Sequence, residues 1–291
     1  MPSLAAGLCN VCTLRTAADA RSLRRRLEGA GRVVVLGGGF IGLEIASTAR
    51  MLGKHVTLIE AAGRLLGRSL SPELAEHVLI RHRASGVDVR LGVAPSRFEC
   101  AGERCLAVWL DGQRLEADLL VVGIGAVPET ALAEAAGLAC RDGVLVDGFM
   151  RTSDPRILAI GDCTRFPLPG DSGDRRLESV QNANDQARTA VATVLGQPVP
   201  YAALPWFWSE QGDMRLQMAG CVPVDSVRHR RQGGRPDAFS ILHYTPGGRL
   251  ACIESVNAPQ DHMAAKKLLE SGRSPPPAAA CDGSVALKSF L

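Results

Sequence analysis

The stretch RVVVLGGGFIGLEIA, residues 32–46, constrains the fold of this 291-residue chain more than any other segment. Its continuous β-branched run is typical of a parallel strand that is buried on both faces. Gly37, Gly39 and Gly42 follow with GxGxxG spacing. The first glycine of that pattern allows a tight turn, the second lets a diphosphate approach the backbone, and the third lets the helix pack closely. The stretch predicts a dinucleotide site with the diphosphate at a helix N-terminus.

The next predicted strand, HVTLIE, ends at Glu60. A carboxylate at that point accepts hydrogen bonds from ribose hydroxyls and repels a 2′-phosphate, which favours NAD(H) over NADP(H). Arg64 and Arg68 instead favour NADP(H), because an arginine near this point can bind a 2′-phosphate. We weigh Glu60 more heavily because its place at the strand end is fixed. A glycine-rich turn without a ligand is the alternative, which the order of strand, glycines, helix, strand and acid disfavours.

The same domain continues with a helix that begins at Ser71-Pro72-Glu73, where a capping hydroxyl, a first-turn proline and an acid are combined. A third strand, VDVRL, follows it. Short strands joined around Asp111-Gly112 predict a hairpin, and DLLVVGIG returns to a buried strand. The layout is that of a complete NAD domain with a β-meander.

Beyond residue 125 the pattern is less regular. ILAIGD predicts a strand that ends at Gly161 and Asp162, where a carboxylate can bind a ligand hydroxyl or cap a helix. SVQNANDQARTAVATVLG predicts a helix that ends at Gly196. Further elements are expected near 213–219, 238–245 and 249–256 as strands and at about 261–269 as a helix. The segment GRSPPPAAACDGS predicts a proline-rich linker before a short tail.

Composition narrows the classes of partner. A net charge of +3 and 4% aromatic residues, without a dense basic stripe, disfavour nucleic acid. No run reaches the roughly 18 apolar residues of a membrane span, and we expect a cytoplasmic protein without a membrane partner. Nine cysteines, an odd number, favour reduced thiols. Cys9 and Cys12 could form a redox motif or half a zinc site, but no second pair follows, so we expect ordinary thiols and no metal.

Several motifs together resemble those of the FAD-dependent, NADH-using ferredoxin reductases of the rubredoxin, putidaredoxin and biphenyl-dioxygenase reductase type, in the pyridine nucleotide-disulfide oxidoreductase superfamily. They occur in family order and are LRTAADA, GGGFIGLE, VVGIGAVPE, RTSDPRILAIGDC, ESVQNANDQA, PWFWSEQ and VNAPQDH. The resemblance implies an α/β fold with two dinucleotide-binding domains and a C-terminal α+β domain. The implied parts are a remnant of the FAD domain or a linker at 1–18, the NAD(H) domain at 19–125, the C-terminal half of the FAD domain at 126–204, and a dimerisation or interface domain at 205–291.

The resemblance also assigns site residues. In the NAD site it adds Phe40 and Glu44 beside the nicotinamide, and Gly125 in the loop next to it, to the glycines and Glu60. The residues that match FAD contacts are Arg15, Gly161 with Asp162 on the ribityl chain, Val180 as a backbone contact to the isoalloxazine, and Trp208 beside the flavin ring. Trp208 could instead be a core residue at a domain boundary.

The implied activity is electron transfer from NADH through FAD to a small acidic ferredoxin or rubredoxin of an oxygenase system. Such an enzyme needs no catalytic acid–base pair, because the fold supplies mainly position and electrostatics. Arg175, Arg176 and the cluster from Arg228 to Arg231 could steer the partner, or could form a plain solvated face. A homodimer is left open.

Two departures from the family pattern qualify this expectation. The family carries two dinucleotide fingerprints, and only one is present in this sequence, so we expect an incomplete FAD domain with exposed apolar edges near 144–146 and 157–160. A truncated, non-catalytic NAD(H)-binding module with impaired FAD binding is therefore the alternative function. Gly212 stands where the family usually has an aromatic residue after SEQ, which puts a local flavin or partner contact in doubt.

Overall fold

The computed structural model describes residues 7–168 and 173–291. These residues divide into two compact units, each described here by itself. The first comprises the residues up to Gly125 together with the hairpin Ser209–Leu216, and the second comprises the described residues of 126–208 and 217–291. None of the helices in the described part of the chain combines the length and apolar character that crossing a bilayer requires.

The first unit is built on a five-stranded parallel sheet with the strand order β1-β8-β2-β3-β4. The strands are β1 (Val11–Cys12), β2 (Arg32–Leu36), β3 (His55–Glu60), β4 (Val87–Leu91) and β8 (Leu119–Val122). At the centre of the sheet Val35 pairs with both Leu58 and Val121 and is completely buried. The apolar run of β2 is therefore covered on both faces, as predicted from its sequence.

Three helices connect these strands, namely α1 (Ala17–Gly29), α2 (Phe40–Met51) and α3 (Pro72–Ala84). The predicted start of α3 is confirmed, since the Ser71 hydroxyl accepts a hydrogen bond from the backbone N–H of Leu74. Helix α1 was not predicted. Thr16 and Asp19 form a capping box at its start, which satisfies two backbone donors that the helix itself cannot pair.

A three-stranded antiparallel meander of β5 (Arg97–Ala101), β6 (Arg104–Leu110) and β7 (Gln113–Glu116) packs on this sheet. The predicted turn between β6 and β7 is confirmed, because Asp111 and Gly112 both have positive φ, of 44° and 84°. Their conformation is the one that two-residue hairpin turns require. Buried side chains of the meander, including Val108 and Leu110, share a core with Val34 and Leu36 of β2.

Residues before α1 also belong to the first unit. Val11 and Cys12 extend the parallel sheet by pairing with Leu120 and Val121. The side chain of Asn10 exchanges two hydrogen bonds with the backbone of Cys105 in the meander. Residues 7–18 thus pack within the first unit. The assignment of 1–18 to a remnant of the FAD domain or a linker stays a prediction. Residues 1–6 of the predicted 1–18 segment lie outside the described part of the chain.

The second unit begins with helix α4 (Ala131–Ala135) and a small sheet of β9 (Val144–Leu145), β10 (Thr164–Pro167) and β11 (Asp174–Arg175). Helix α5 (Val180–Val194) matches the predicted helix. The predicted strand at 157–160 is not formed, because this segment contributes only an isolated bridge between Leu158 and Arg151. Without a neighbouring strand to complete a ladder, Ile157 and Ile160 remain 39% and 42% exposed.

A five-stranded sheet with the order β12-β13-β16-β15-β14 forms the C-terminal part of the chain. Its strands are β12 (Trp206–Gln211), β13 (Met214–Gly220), β14 (Val227–Gln232), β15 (Phe239–Tyr244) and β16 (Leu250–Val256). The predicted strands correspond to β13, β15 and β16, and the predicted helix to α6 (Pro259–Glu270). Strands β12 and β14 were missed. Every residue of β15 is buried, and β15 lies between β14 and β16 in the sheet.

The segment predicted as a linker is instead part of the C-terminal core. It contains α7 (Pro277–Cys281) and leads to a short 3-10 helix (Leu287–Phe290). Ala280 and Leu287 pack with Leu242 and Leu268. The prolines therefore mark the start of a docked helix rather than a flexible connection, because proline is well accommodated in the first turn of a helix.

Candidate functional site: a dinucleotide turn and the residues around it

The glycine turn joins the end of β2 to the start of α2. Gly37 has a φ of +106°, and a Cβ atom there would lie 2.3 Å from the carbonyl oxygen of Gly123. Only glycine meets both conditions, since a side chain would be strained by the backbone and would collide with the exit of β8. The turn is therefore held tightly against the carboxyl end of the sheet, where open α/β sheets bind their ligands.

Gly39 and Gly42 have opposite surroundings. A Cβ on Gly39 would meet nothing within 4 Å, and this residue is the N-cap of α2 without a side-chain cap. A Cβ on Gly42 would lie 2.0 Å from the carbonyl oxygen of Gly37. The third glycine thus lets the helix sit against the turn, whereas the second leaves open space beside the backbone donors of a helix N-terminus. This combination fits a diphosphate group.

Glu60 lies at the end of β3, as predicted, and its carboxylate reaches the turn. Oε2 accepts a 2.6 Å hydrogen bond from the backbone N–H of Gly38, and Oε1 accepts one of 2.7 Å from Ala62. Arg64, one of the two competing arginines, donates to the carbonyl oxygens of Gly67 and Leu70 and so stabilises its own loop. The Glu60 carboxylate therefore contacts the glycine turn directly.

Phe40 and Glu44 lie one turn apart on α2 and therefore share a face of the helix. Glu44 Oε1 accepts a 2.5 Å hydrogen bond from the hydroxyl of Ser209, in the hairpin that belongs to the same unit. Gly125, with a φ of +104°, ends the loop that leaves β8. A guanidinium nitrogen of Arg68 would lie 3.6 Å from a Cβ at Gly125, so this second arginine borders the same loop.

The residues assigned to FAD are divided between the units. Arg15 is exposed in the first unit, directly before the Thr16 cap of α1. In the second unit the backbone N–H of Gly161 donates a 2.6 Å hydrogen bond to the side-chain oxygen of Gln186. Asp162 is exposed beside it, and Val180 is the first residue of α5, where backbone N–H groups point away from the helix.

Two features of the second unit fit a flavin. Gln186 is completely buried, and its side-chain nitrogen has no hydrogen-bond partner within the described chain, so a polar group is still needed there. Trp208 is 38% exposed and stacks on Trp206, with ring centroids 5.4 Å apart. A partly exposed, stacked tryptophan offers an aromatic face, which a plain core residue would not.

Sequence reasoning missed the polar residues around Glu44. Ser209 and Gln211 alternate along β12 and are both 1% exposed. Gln211 donates to the Ser209 hydroxyl, and its own oxygen lies 2.9 Å from His82 Nε2. Two polar residues two positions apart in a strand share a face. The alternation of polar residues in WSEQ is the only sequence signal for this buried polar face, and it does not reveal that Ser209 contacts Glu44.

Gly212 is explained by the turn between β12 and β13. It has a φ of +64°, and a Cβ there would lie 2.8 Å from the hydroxyl of Ser47 on α2. The turn borders a cavity of about 560 Å³, which is also lined by Arg50, Arg81 and His82. Gly212, where the sequence departs from the family pattern, therefore lies close to α2 within the first unit.

The cysteines in the described residues are all free thiols. Cys12 is buried and accepts a hydrogen bond from the Arg26 guanidinium, and burial raises its pKa, whereas Cys9 is exposed. In residues 7–168 and 173–291 no group of three or more metal-ligating side chains comes together.

The parallel sheet, the glycine turn and the acid at the next strand end define a nucleotide-binding α/β protein. Residues 2–187 match the pyridine nucleotide-disulphide oxidoreductase family, and residues 206–291 match the C-terminal domain of reductases. The chain belongs to the pyridine nucleotide-disulphide oxidoreductase family, in the group that includes the ferredoxin reductases of oxygenase systems.

Individual relatives agree with this placement. Terpredoxin reductase from Pseudomonas is 47% identical over 287 residues, covering 97% of this chain and 69% of the relative. Putidaredoxin reductase from Pseudomonas putida is 39% identical over 282 residues, covering 96% and 66%. A crystal structure of a ferredoxin reductase from Rhodopseudomonas palustris superposes with a TM-score of 0.92 at 41% identity, covering 98% of this chain and 70% of that one. The chain thus spans about two thirds of the length of these relatives.

A second crystal structure, of a covalent complex between putidaredoxin reductase and putidaredoxin, superposes with a TM-score of 0.92 at 38% identity. It covers 98% of this chain and 69% of that one. Together with the family match, these structures confirm the predicted fold class, a flavoprotein with two dinucleotide-binding domains and a C-terminal domain. The family assignment also supports FAD and NAD(H) as the cofactors.

Proposed function

We propose that this chain is an NADH-dependent flavoprotein reductase that passes electrons to a small iron–sulfur protein of the ferredoxin or rubredoxin type. The observation that carries the proposal is the glycine turn, with open space at Gly39 and the Glu60 carboxylate beside it. Membership of the ferredoxin reductase group supports the electron acceptor. The alternative of a non-catalytic NAD(H)-binding module receives no such support from the relatives.

The first unit has the task of holding and orienting NADH. Backbone N–H groups at the start of α2 bind the diphosphate, and the dipole of the helix favours its negative charge. Glu60 accepts hydrogen bonds from the adenosine ribose and disfavours a 2′-phosphate. Phe40, Glu44 and the Gly125 loop surround the nicotinamide end.

The second unit holds FAD through Gly161 and Asp162, the N-terminus of α5 at Val180, and the face of Trp208. When bound, FAD supplies the conversion of a two-electron hydride from NADH into single electrons for an iron–sulfur centre. The protein's own contribution is to fix positions and charges, so no side chain has to act as a general acid or base.

We propose that the electron acceptor is acidic and approaches an arginine-bearing surface of the second unit. Arg228 and Arg175 each lie exposed in the second unit, and β14, which carries Arg228, is an edge strand. Two other arginines of the predicted steering set are engaged in the structure. Arg231 is buried against Asp261, and Arg176 pairs with Glu178 and Asp142. The surface proposed for steering is therefore smaller than the sequence indicated. A homodimer and a cytoplasmic location stay predictions.

The decisive experiment is to purify the chain, supply FAD, and record the visible spectrum before and after anaerobic addition of NADH. The proposal predicts a bound flavin band that is bleached by NADH and much less by NADPH. Electron delivery is then measured as cytochrome c reduction that depends on an added ferredoxin. A colourless protein that binds NADH would favour the non-catalytic module instead, and a protein that binds neither cofactor would contradict both functions.

A further inference from the structure

We propose that Ser209 is a positioning residue for the nicotinamide end of NADH. Its hydroxyl fixes the Glu44 carboxylate, and Gln211 and His82 in turn hold the hydroxyl. The inference rests on the proposed function, since it assigns a role to residues that surround the same nucleotide site. It concerns side chains that neither the glycine fingerprint nor any flavin contact includes.

The contact between Ser209 and Glu44 is short and protected. The hydroxyl lies 2.5 Å from Glu44 Oε1, which is typical of an O–H donor to a carboxylate. Ser209 is only 1% exposed, so water does not compete for the hydroxyl. The two residues are 165 positions apart in sequence, so the hairpin of β12 and β13 has to fold onto α2 before Glu44 is held.

The donors in this chain of hydrogen bonds all point towards the carboxylate. The only hydroxyl proton of Ser209 goes to Glu44, so its oxygen accepts the 3.1 Å hydrogen bond from the Gln211 side-chain nitrogen. The Gln211 oxygen is then an acceptor, and His82 Nε2, at 2.9 Å, must carry the donated proton. Aligned donors polarise one another, which strengthens the final bond to the carboxylate.

The state of His82 agrees with this direction. The residue is 2% exposed, and burial lowers its pKa, which favours the neutral ring. With the proton on Nε2, the ring keeps one donor for Gln211, and its Nδ1 has no partner within the described chain. A neutral histidine in this tautomer can only donate at Nε2 and cannot accept there. It therefore fixes the direction of the hydrogen bonds that follow.

Holding Glu44 matters because a free glutamate side chain has several rotatable bonds. Ser209 occupies Oε1, which leaves Oε2 to accept a hydrogen bond from the carboxamide N–H of nicotinamide. A carboxylate that is already fixed loses less conformational entropy on binding than a mobile one. The chain of hydrogen bonds therefore contributes affinity at the nicotinamide end and none at the ADP end.

The test compares the binding of NADH and of ADP-ribose, which lacks the nicotinamide, by isothermal titration calorimetry on the full chain. Ser209→Ala should raise the Kd for NADH by roughly tenfold and leave the Kd for ADP-ribose unchanged. Ser209→Thr keeps a hydroxyl and should restore most of the affinity. Ser47→Ala is the matched control, since Ser47 is a buried serine on α2 that takes no part in the chain of hydrogen bonds.

A double-mutant cycle with Glu44→Ala adds a readout that a purely structural role would not change. In that background Ser209→Ala should have little further effect on NADH binding, because the carboxylate that it holds is gone. The inference is overturned if Ser209→Ala binds NADH normally, weakens both ligands equally, or keeps its full effect without Glu44. If the wild-type chain binds neither ligand, the proposed function itself fails, which is a distinct result.

Discussion

The carboxylate of Glu60 accepts a 2.6 Å hydrogen bond from the backbone N–H of Gly38, which ties the end of β3 to the turn that follows β2. Two segments that are adjacent in the sheet thus meet at the point where a dinucleotide would change from its ribose to its diphosphate. The acid stabilises the turn, and in the proposed function it also presents acceptors to the ribose.

Replacing this acid tests the choice of nucleotide. Glu60→Ala should weaken NADH binding by roughly tenfold, since hydrogen bonds to a charged acceptor are lost. NADPH should lose much less, because removing the negative charge also removes repulsion of its 2′-phosphate. Fluorescence titration with each nucleotide measures the change, with Glu76→Ala, an exposed acid on α3, as the control. Equal losses for both nucleotides would show that Glu60 does not select between them.

Substitutions of Gly39 and Gly42, the second and third glycines of the turn, should have different effects on stability and NADH affinity. Gly39→Ala adds a methyl group to open space, so the protein should keep its melting temperature but lose NADH affinity, because the methyl group occupies the path of the diphosphate. Gly42→Ala forces a Cβ to within 2.0 Å of the Gly37 carbonyl oxygen and should cost about 1–3 kcal/mol of stability or more. Calorimetric melting and NADH titration together separate the two effects. Normal NADH binding by Gly39→Ala would contradict the proposed position of the diphosphate.

The parts of the fold that were predicted correctly are those that short segments of the sequence determine. The glycine turn, the Ser71 cap and the Asp111-Gly112 hairpin each depend on a few adjacent residues whose backbone preferences are specific. The class of the fold followed because these local signals occur in the order of a nucleotide-binding domain. The site residues assigned by resemblance to the NAD end lie in one unit around that turn.

The missed features depend on contacts between distant segments. Strand β1 has only two residues, and it is a strand only because these residues pair with Leu120 and Val121. The alternation in WSEQ indicates a buried face but not that the face meets Glu44. Segment 157–160 has the composition of a strand, yet a strand exists only where a neighbour supplies hydrogen bonds. Local sequence carries none of this information.

Arg231 was grouped with exposed arginines because its neighbours in sequence are basic, but the structure gives it a different role. Its guanidinium binds Asp261 and the carbonyl oxygens of Ala280, Asp282 and Val285. Arg231→Met should therefore destabilise the protein by about 3 kcal/mol, because it leaves a largely buried carboxylate and three carbonyl groups without their donor. Urea unfolding provides the measurement.

Arg228, three positions earlier on the same strand, is exposed and supplies the contrast. Arg228→Ala should leave the unfolding midpoint unchanged and slow the reduction of an acidic ferredoxin at low ionic strength by roughly twofold to fivefold. The difference should disappear in high salt, because salt screens exposed charges. Arg249→Ala, another exposed arginine of the second unit, is the control. An effect on stability from Arg228→Ala, or none from Arg231→Met, would contradict these assignments.

His82 predicts a pH dependence of stability. Burial lowers its pKa below the ordinary value of 6.5, so the unfolded chain binds more protons than the folded chain as the pH falls below that value. Its contribution to stability is therefore fully present above pH 6.5 and is lost as the pH falls towards the folded pKa. His82→Gln should reduce the loss of stability between about pH 7.5 and about pH 5.5, as measured by urea unfolding. An unchanged pH profile would show that His82 does not remain neutral in the fold.

A crystal structure of the chain with NADH tests the central claim most directly. The account predicts a diphosphate against the backbone N–H groups at the start of α2, beside Gly39, with both hydroxyls of the adenosine ribose within hydrogen-bond distance of the Glu60 carboxylate. NADH bound elsewhere, or a crevice that stays closed at saturating NADH, would contradict it.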